Sequence, residues 1–419
     1  MSTLITEAKI IDPQSSHHRK KANVLIKNGV ISSIGNTRPK ADHVIDGKGA
    51  ILSPGWLDLQ ANFCDPGYEH KEDLTSGRDV AMAGGFTDVA VLPNTSPVIQ
   101  TKNDIEYIKR DNALSLVQLW PIAAISKDTA GEDFTEILDL QAAGAVAFSD
   151  GLVPLWNTDL LRKTLQYVQK FDGLIINRPC DQWLSRYGVM NEGIHSALLG
   201  LKGIPALAEE ITVARDIQIL TYTGGKLHLA NLSSSKSVSL VRKAKKKGLQ
   251  VTCDVALHQL VYSDDATLNF EANFKVMPPL RTNNHIKALI KGLKDGTIDA
   301  IVSSHQPQDE ENKKLEFDMA EDGMNNMQVM LPLYNRLKDE IPLELFLSKL
   351  TTGPRDILGI ANPVIAKGAT ANLTLFHPTE KWVYDTKTNQ SKAVNSPLFN
   401  QEVKGKVKAV FNNGQEQIF

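Results

Sequence analysis

Cysteine is scarce. Cys64, Cys180 and Cys253 are the only three in 419 residues. An odd, sparse set is no disulfide framework and points to a reducing cytoplasm. Charge of one sign is missing too. Lysine and arginine number 46 against 48 aspartates and glutamates, a formal net charge of −2. That removes the electrostatic case for nucleic acid or an anionic membrane surface. A charge so near zero tolerates self-association, and a homo-oligomer is expected. No run of 18 apolar residues occurs, so no helical membrane span is expected. The opening MSTLITEAKIID lacks the basic segment and long apolar stretch of a signal peptide. No Gly-x-Gly-x-x-Gly turn follows an early apolar run, which weakens an open dinucleotide-binding sheet. Repeats and low-complexity tracts are absent as well.

What is present is ordinary globular chemistry, with 42% hydrophobic and 22% charged residues. The length suits one large domain and a smaller one. Both ends read as short strands with turn signals. STLITEAKIIDPQSSHHRKKANVLIKNGVISSIG carries Lys27-Asn28-Gly29, and IAKGATANLTLFHP and VKGKVKAVFNNGQEQIF close the chain. The middle alternates. Apolar β-type runs lie at 51–59, 86–93, 116–125, 144–149, 173–177, 225–232, 249–256 and 298–304. Helix patterns between them include 102–111, 157–170, 205–219 and 235–247, with Asn157 or Thr158 and Ser234 or Ser235 as N-caps. Eight β runs alternating with helices predict a (β/α)8 TIM-type barrel over 54–364. A composite β domain is expected from 1–53 plus 365–419. The basic run at 243–247 sits at a helix C-terminus, where it favours the dipole and solvation.

In a barrel, chemistry collects at the C-terminal ends of the strands. Those ends supply Gln60 and Asn62, Asn94, Asp150, Asn177 and Arg178, His228 and Asn231, Asp254 and His258, then Ser304 and His305. Neutral amides are weak ligands for zinc, which favours imidazole, thiolate and carboxylate. A lone histidine at a strand end is more often a hydrogen-bonded structural residue than a ligand.

With these residues in place, the chain resembles the dihydroorotase family of the amidohydrolase superfamily, in its longer bacterial form. The blocks that carry the resemblance run in order along nearly the whole chain. They include PGWLDL at 54–59, DPGYEHKED at 65–73, AGGFTDV at 83–89, LPNTSPV at 92–98, GVMNEG at 188–193, LHLANLSS at 227–234, NFKVMPPLRT at 273–282, DGTIDAIVSSH at 295–305 and TTGPRDILGI at 351–360. The resemblance implies a metal-dependent barrel with a β domain from both termini, using zinc to hydrolyse a cyclic amide in pyrimidine biosynthesis. It also implies a ligand set that this chain mostly lacks. The family's strand-one His-x-His falls on Gln60 and Asn62, its strand-five histidine on Arg178 and its strand-six histidine on Asn231. Its strand-eight aspartate falls on Ser304. Only the bridging position, Asp150, keeps a ligand type. Among substrate positions Asn94 and His305 are kept, while Cys64 and Gln308 replace an arginine and a histidine.

The expectation is therefore an inactive, pseudo-dihydroorotase type with no intact catalytic set and no metal or other cofactor. The resemblance links such homologues to aspartate carbamoyltransferase as structural partners. Two other readings stand beside it. One is an active cyclic-amide hydrolase with a rebuilt site, drawing on the three cysteines with His258, His305 and Asp150. The other is a pocket in which Asn94, Arg178 and Arg281 hold an anion without turning it over.

Overall fold

The computed structural model describes residues 2–419. Eight parallel strands form its centre: β1 Trp56–Ala61, β2 Phe86–Val91, β3 Gln118–Ala123, β4 Ala147–Phe148, β5 Leu174–Asn177, β6 Lys226–Leu229, β7 Val251–Ala256 and β8 Ala300–Val302. They pair in chain order. β8 returns to β1 through a parallel bridge between Ala61 and His305. The sheet is thus a closed (β/α)8 barrel, as the eight apolar runs predict. Parallel neighbours need crossovers, and helices 102–109, 158–168, 206–223 and 235–246 supply four of them. Asn157 accepts from the backbone N–H groups of Asp159 and Leu160, and Ser234 accepts from that of Lys236. Both are the expected caps.

Alternation along the strands sorts the core into two shells. Leu57, Leu59, Ile122, Leu174, Ile176 and Val302 fill the barrel interior. Residues such as Val89, Leu119, Ile175, Leu227 and Ile301 face outward into the layer under the helices.

A second sheet joins the two ends of the chain. Its order is 415–418, 401–412, 373–384, 51–54, 2–10, 21–27, 30–35, with 43–46 beside 2–10. It is mixed: 2–10 runs parallel to 51–54 and antiparallel to 21–27. Asn28 and Gly29 turn the 21–27/30–35 hairpin with φ of 49° and 74°, as Lys27-Asn28-Gly29 predicts.

The run 51–59 is not one strand. Ile51–Pro54 pairs with 373–376 in the terminal sheet, and Trp56–Ala61 opens the barrel. Gly55 divides them. A Cβ there would lie 1.9 Å from Asn372 Oδ1 and 2.3 Å from Thr87 Oγ1, so only glycine lets the two sheets approach. Gly85 is constrained in a similar way. It ends helix 74–84 at φ 93°, and an added Cβ would meet the Trp56 ring at 2.9 Å.

Candidate functional site

The loops after the barrel strands define one open face. Every strand-end residue singled out above lies there, and most are buried. Gln60 follows Leu59 in β1, where its amide reaches across the barrel to donate to Asp254 Oδ2 of β7. The same Asp254 oxygen faces His228 Nε2 at 2.9 Å, while Asp254 Oδ1 accepts from the Asn231 backbone N–H at 2.6 Å. His228 Nδ1 faces Thr252 Oγ1 at 2.8 Å, so this histidine is a hydrogen-bonded structural residue. Asn231 Nδ2 donates to Gln60 Oε1 at 3.1 Å and approaches Ser304 Oγ at 3.4 Å. Gln60, Asn231, Ser304 and Asp254 are therefore tied to one another across the barrel.

The backbone at these positions is unusual. Cys64, Asn231 and Ser304 have φ of 61°, 53° and 49°. Asparagine tolerates the left-handed region, but cysteine and serine do so only under constraint. The side chains depart from the family pattern on a backbone that holds special conformations.

Asn62 and Asn94 shape loops. Asn62 Oδ1 accepts from the Cys64 N–H at 3.0 Å. Asn94 donates to the Asp150 carbonyl at 3.0 Å and accepts from the Leu152 N–H at 2.7 Å. Gly151 lets this happen, since a Cβ at its φ of 62° would lie 2.0 Å from Asn94 Oδ1. The Asp150 carboxylate is fully engaged, accepting from Ile125 N–H at 3.0 Å, Ser126 N–H at 2.9 Å and Ser126 Oγ at 2.6 Å. Burial pushes its pKa up. Gln308 bridges Lys71 Nζ at 2.7 Å and the Asp322 carbonyl at 2.8 Å. His305 lies against the Phe63 ring, with Nε2 3.5 Å from Glu72 Oε2.

Arg178 ends β5 with its guanidinium buried. Its one hydrogen bond runs from Nη1 to the Leu152 carbonyl at a long 3.4 Å. Asn177 beside it turns the other way, donating to Asp216 at 2.6 Å. Arg281 is not free to bind an anion. It donates to Ser233 Oγ, Asn191 Oδ1 and the Ile204 carbonyl, so it anchors the short ribbon formed by 190–191 and 203–204. The three thiols are buried, and burial drives each upward: Cys64 to about 12, Cys180 and Cys253 in the same direction. Such thiols stay protonated and serve neither as nucleophiles nor as ready metal ligands.

The mouth residues do not fit a divalent metal pair. Amides, a hydroxyl and a guanidinium stand at five of the six assigned positions, and the one carboxylate has its oxygens taken. The expectation that the chain offers no cofactor site is nonetheless corrected by a cluster on the rim of the same face. His195 Nδ1 lies 3.6 Å from Asp264 Oδ1, and His195 Nε2 lies 3.4 Å from Asp265 Oδ1. One ligand atom from each of the three residues falls within 4.8 Å of the others, a spacing that can hold a metal ion. Asn191 Nδ2 steadies Asp264 at 2.8 Å. Little in the sequence signals this triad. His195 sits in the excursion after β5 and the aspartates follow β7, with no ligand spacing to join them.

Comparison with known proteins follows the same lines. A family model described as dihydro-orotase-like matches residues 49–237, and the amidohydrolase family model matches 195–416. The dihydroorotase of Syntrophus aciditrophicus (strain SB) is 38% identical over 413 residues, covering 97% of each chain. That of Caldanaerobacter subterraneus subsp. tengcongensis is 39% identical over 401 residues, covering 94% of this chain and 93% of the relative. Among solved structures, an L-hydantoinase (dihydropyrimidinase) from Arthrobacter aurescens superposes with a TM-score of 0.85, covering 100% of this chain and 97% of that one. A dihydropyrimidinase from Brevibacillus agri NCHU1002 gives 0.83 over 100% and 95%. At 19% and 20% identity these two speak for the fold alone.

Proposed function

The chain belongs to the dihydroorotase family of amidohydrolases, and we propose that it is a member that no longer hydrolyses dihydroorotate and serves as a structural partner. The observation that carries this reading is the network at the mouth. The family's chemistry needs a cationic centre that lowers the pKa of a bridging water, and an aspartate that moves the proton. Here Gln60 and Asn231 hydrogen-bond to each other and to Asp254, and Asn231 also reaches the Ser304 hydroxyl. None of the three titrates in a useful range. Arg178 brings a buried positive charge to a place where a divalent cation would be repelled.

A partner role has its own support in the exposed surface. Trp183, Tyr187, Ile194, Leu198, Leu207 and Tyr222 are between 47% and 85% exposed on the excursion after β5 and the helix that follows it. Large apolar side chains left in water this densely mark interaction surfaces. The resemblance makes aspartate carbamoyltransferase the first partner to try, with a homo-oligomer also expected. Three unpaired thiols suit a cytoplasmic setting, and no helix among the described residues is long and apolar enough to cross a membrane. The test is a dihydroorotate hydrolysis assay, in both directions and with zinc added. Turnover should match the uncatalysed rate, and an ordinary enzymatic rate would sink the proposal. Co-sedimentation with the carbamoyltransferase of the same genome tests the partner separately.

The named relatives favour a second reading, a cyclic-amide hydrolase with a rebuilt site. Curated dihydroorotases align over nearly the whole chain at 37–39% identity, and the His195–Asp264–Asp265 triad supplies a candidate metal centre on the active face. That reading requires zinc-dependent hydrolysis that His195→Ala abolishes.

A further inference from the structure

Four successive barrel strands, β5 to β8, each lead into a buried polar atom without a hydrogen-bond partner. These atoms are Arg178 Nη2, Asn231 Oδ1, His258 Nε2 and His305 Nδ1, the other His305 nitrogen lying 3.5 Å from Glu72 Oε2. All four residues are more than nine-tenths buried. Buried polar groups are paired in the great majority of cases, so a ring of orphans on neighbouring strand ends points to a shared occupant.

The polarity of the orphans says what kind. Arg178 Nη2 can only donate, and among the described residues no carboxylate lies within ion-pair distance of the guanidinium, although the charges of Asp322 and Asp254 act on it from farther away. His258 is a second donor. Its Nδ1 faces Asn326 Nδ2 at 2.9 Å, and the same amide nitrogen lies 3.3 Å from the Ser303 carbonyl. That amide is therefore the donor, Nδ1 accepts, and the ring proton sits on the unpartnered Nε2. Burial, then the charge of Arg178, holds His258 down to about 3, so the ring is neutral and keeps that single proton.

A permanent positive charge without a carboxylate in contact, together with an N–H donor on a nearby strand end, favours an anion over a cation. The way in agrees. A cavity of about 380 Å³ opens at the mouth, and Leu152, whose carbonyl holds Arg178, lines it. Amides from Asn62, Asn94, Gln306 and Gln308 line it too, and Lys71 is its one charged residue. No carboxylate stands on that wall to repel an anion.

We propose that Arg178 Nη2 and His258 Nε2 form the donor pair of a buried anion site in the barrel, which takes a small oxyanion, phosphate or carboxylate. Asn231 Oδ1 and His305 Nδ1 are left to accept from, or donate to, the ligand's remaining polar atoms or a water beside it. The inference rests on the reading that no metal pair sits at the mouth. It does not depend on whether the chain hydrolyses anything, so an active enzyme and a failed anion site would be seen in different assays.

The experiment is thermal unfolding of the full chain, titrated with inorganic phosphate and separately with acetate, at ionic strength held constant with sodium chloride. A specific ligand raises Tm along a saturating curve, whereas screening by salt does not saturate at a site. The wild type is expected to saturate with at least one of the two anions, and the one that binds more tightly names the chemical class. Arg178→Met should weaken that binding at least about tenfold, because the charge-assisted bonds are gone. His258→Gln should weaken it less. Arg178→Met removes an unpaired buried charge of similar length, so it should fold; far-ultraviolet circular dichroism checks that. Phosphate and acetate curves that both coincide with the chloride control overturn the proposal. So does an Arg178→Met protein that binds as the wild type does. Crystals grown with selenate give an independent readout. An anomalous peak within hydrogen-bond reach of both donors supports the site, and selenate absent from it at saturating concentration overturns it.

Discussion

At the scale of single residues, Asp58 is the best illustration of what a preserved framework costs. It sits in the PGWLDL block, fully buried, accepting from Ser303 through both the backbone N–H at 3.1 Å and the hydroxyl. Burial pushes its pKa up to about 7, and the charge of Asp254 adds to the effect. An unfolded aspartate titrates near 3.9. A carboxyl whose folded pKa is raised contributes stability that is complete below about pH 4 and lost as pH rises through about 7. Asp58→Asn keeps the shape and removes the titration. The wild type should therefore lose stability relative to Asp58→Asn between pH 5 and pH 8, by about 2 kcal/mol after discounting the full shift. Urea midpoints of the two proteins across that range check it, and parallel curves would refute it. Burial of His258 acts in the opposite sense as pH falls from about 6.5 to 3, and it cancels in this comparison because both proteins carry it. The sequence places Asp58 in the scaffold by its position in a strand, and it places Gln60, Arg178, Asn231 and Ser304 at strand ends. It does not reveal that Gln60 would bond to Asp254 or that Arg178 would have no carboxylate in contact. Those facts depend on which side chains meet across a closed barrel, and the intervening sequence separations carry no period that a reader can use.

At the scale of elements, legibility followed length. The helix 158–168 announced itself through Asn157 and an apolar stripe that now buries Leu160, Leu161, Leu165 and Val168. Asn157→Ala should lower stability by about 1 kcal/mol, since two backbone donors lose their acceptor while the helix keeps its packing. Chemical denaturation reads that directly, and a change within error would mean water replaces the cap at no cost. The two-residue ribbon 190–191/203–204 was not legible. Its strands are too short to alternate, and Arg281, from a distant loop, holds it in place. The triad His195–Asp264–Asp265 was hidden for the same reason, because its histidine rides on that excursion. The run 51–59 has the composition of one strand, because β-type residues are continuous across it. Only the approach of Asn372 and Thr87 to Gly55 divides it between two sheets.

At the scale of the molecule, one buried carboxylate at the floor of the barrel stands among the contacts that join the barrel to the terminal sheet, which also include Thr374 Oγ1 to the Gly85 carbonyl and Asn412 Nδ2 to the Thr87 carbonyl. Asp88 in β2 accepts from Arg355 Nη2 at 2.6 Å, Thr87 Oγ1 at 2.9 Å, Trp120 Nε1 of β3 at 3.0 Å and Asn372 Nδ2 at 3.3 Å. Arg355 also donates to the Gly55 carbonyl at 2.7 Å, in the link between the two sheets. Asn372 precedes the 373–384 strand, so a single polar cluster touches β2, β3, the helix 352–358, the Gly55 link and the C-terminal part of the chain. Both charges are almost wholly buried. Removing one partner strands the other, a loss of about 3–5 kcal/mol, whereas removing both leaves no uncompensated charge. Asp88→Asn alone should therefore destabilise strongly. Arg355→Met alone should do likewise, because Asp88 then lies buried beside weaker donors. The double variant should cost clearly less than the two single losses added together, and the difference is the coupling between them. Urea unfolding of the four proteins closes the cycle. Additive losses would mean that the two side chains act independently. A large coupling would show that the arginine of TTGPRDILGI and Asp88 act as one unit, far from the mouth. A sequence can then exchange nearly every polar residue at the open end while the floor holds the fold unchanged.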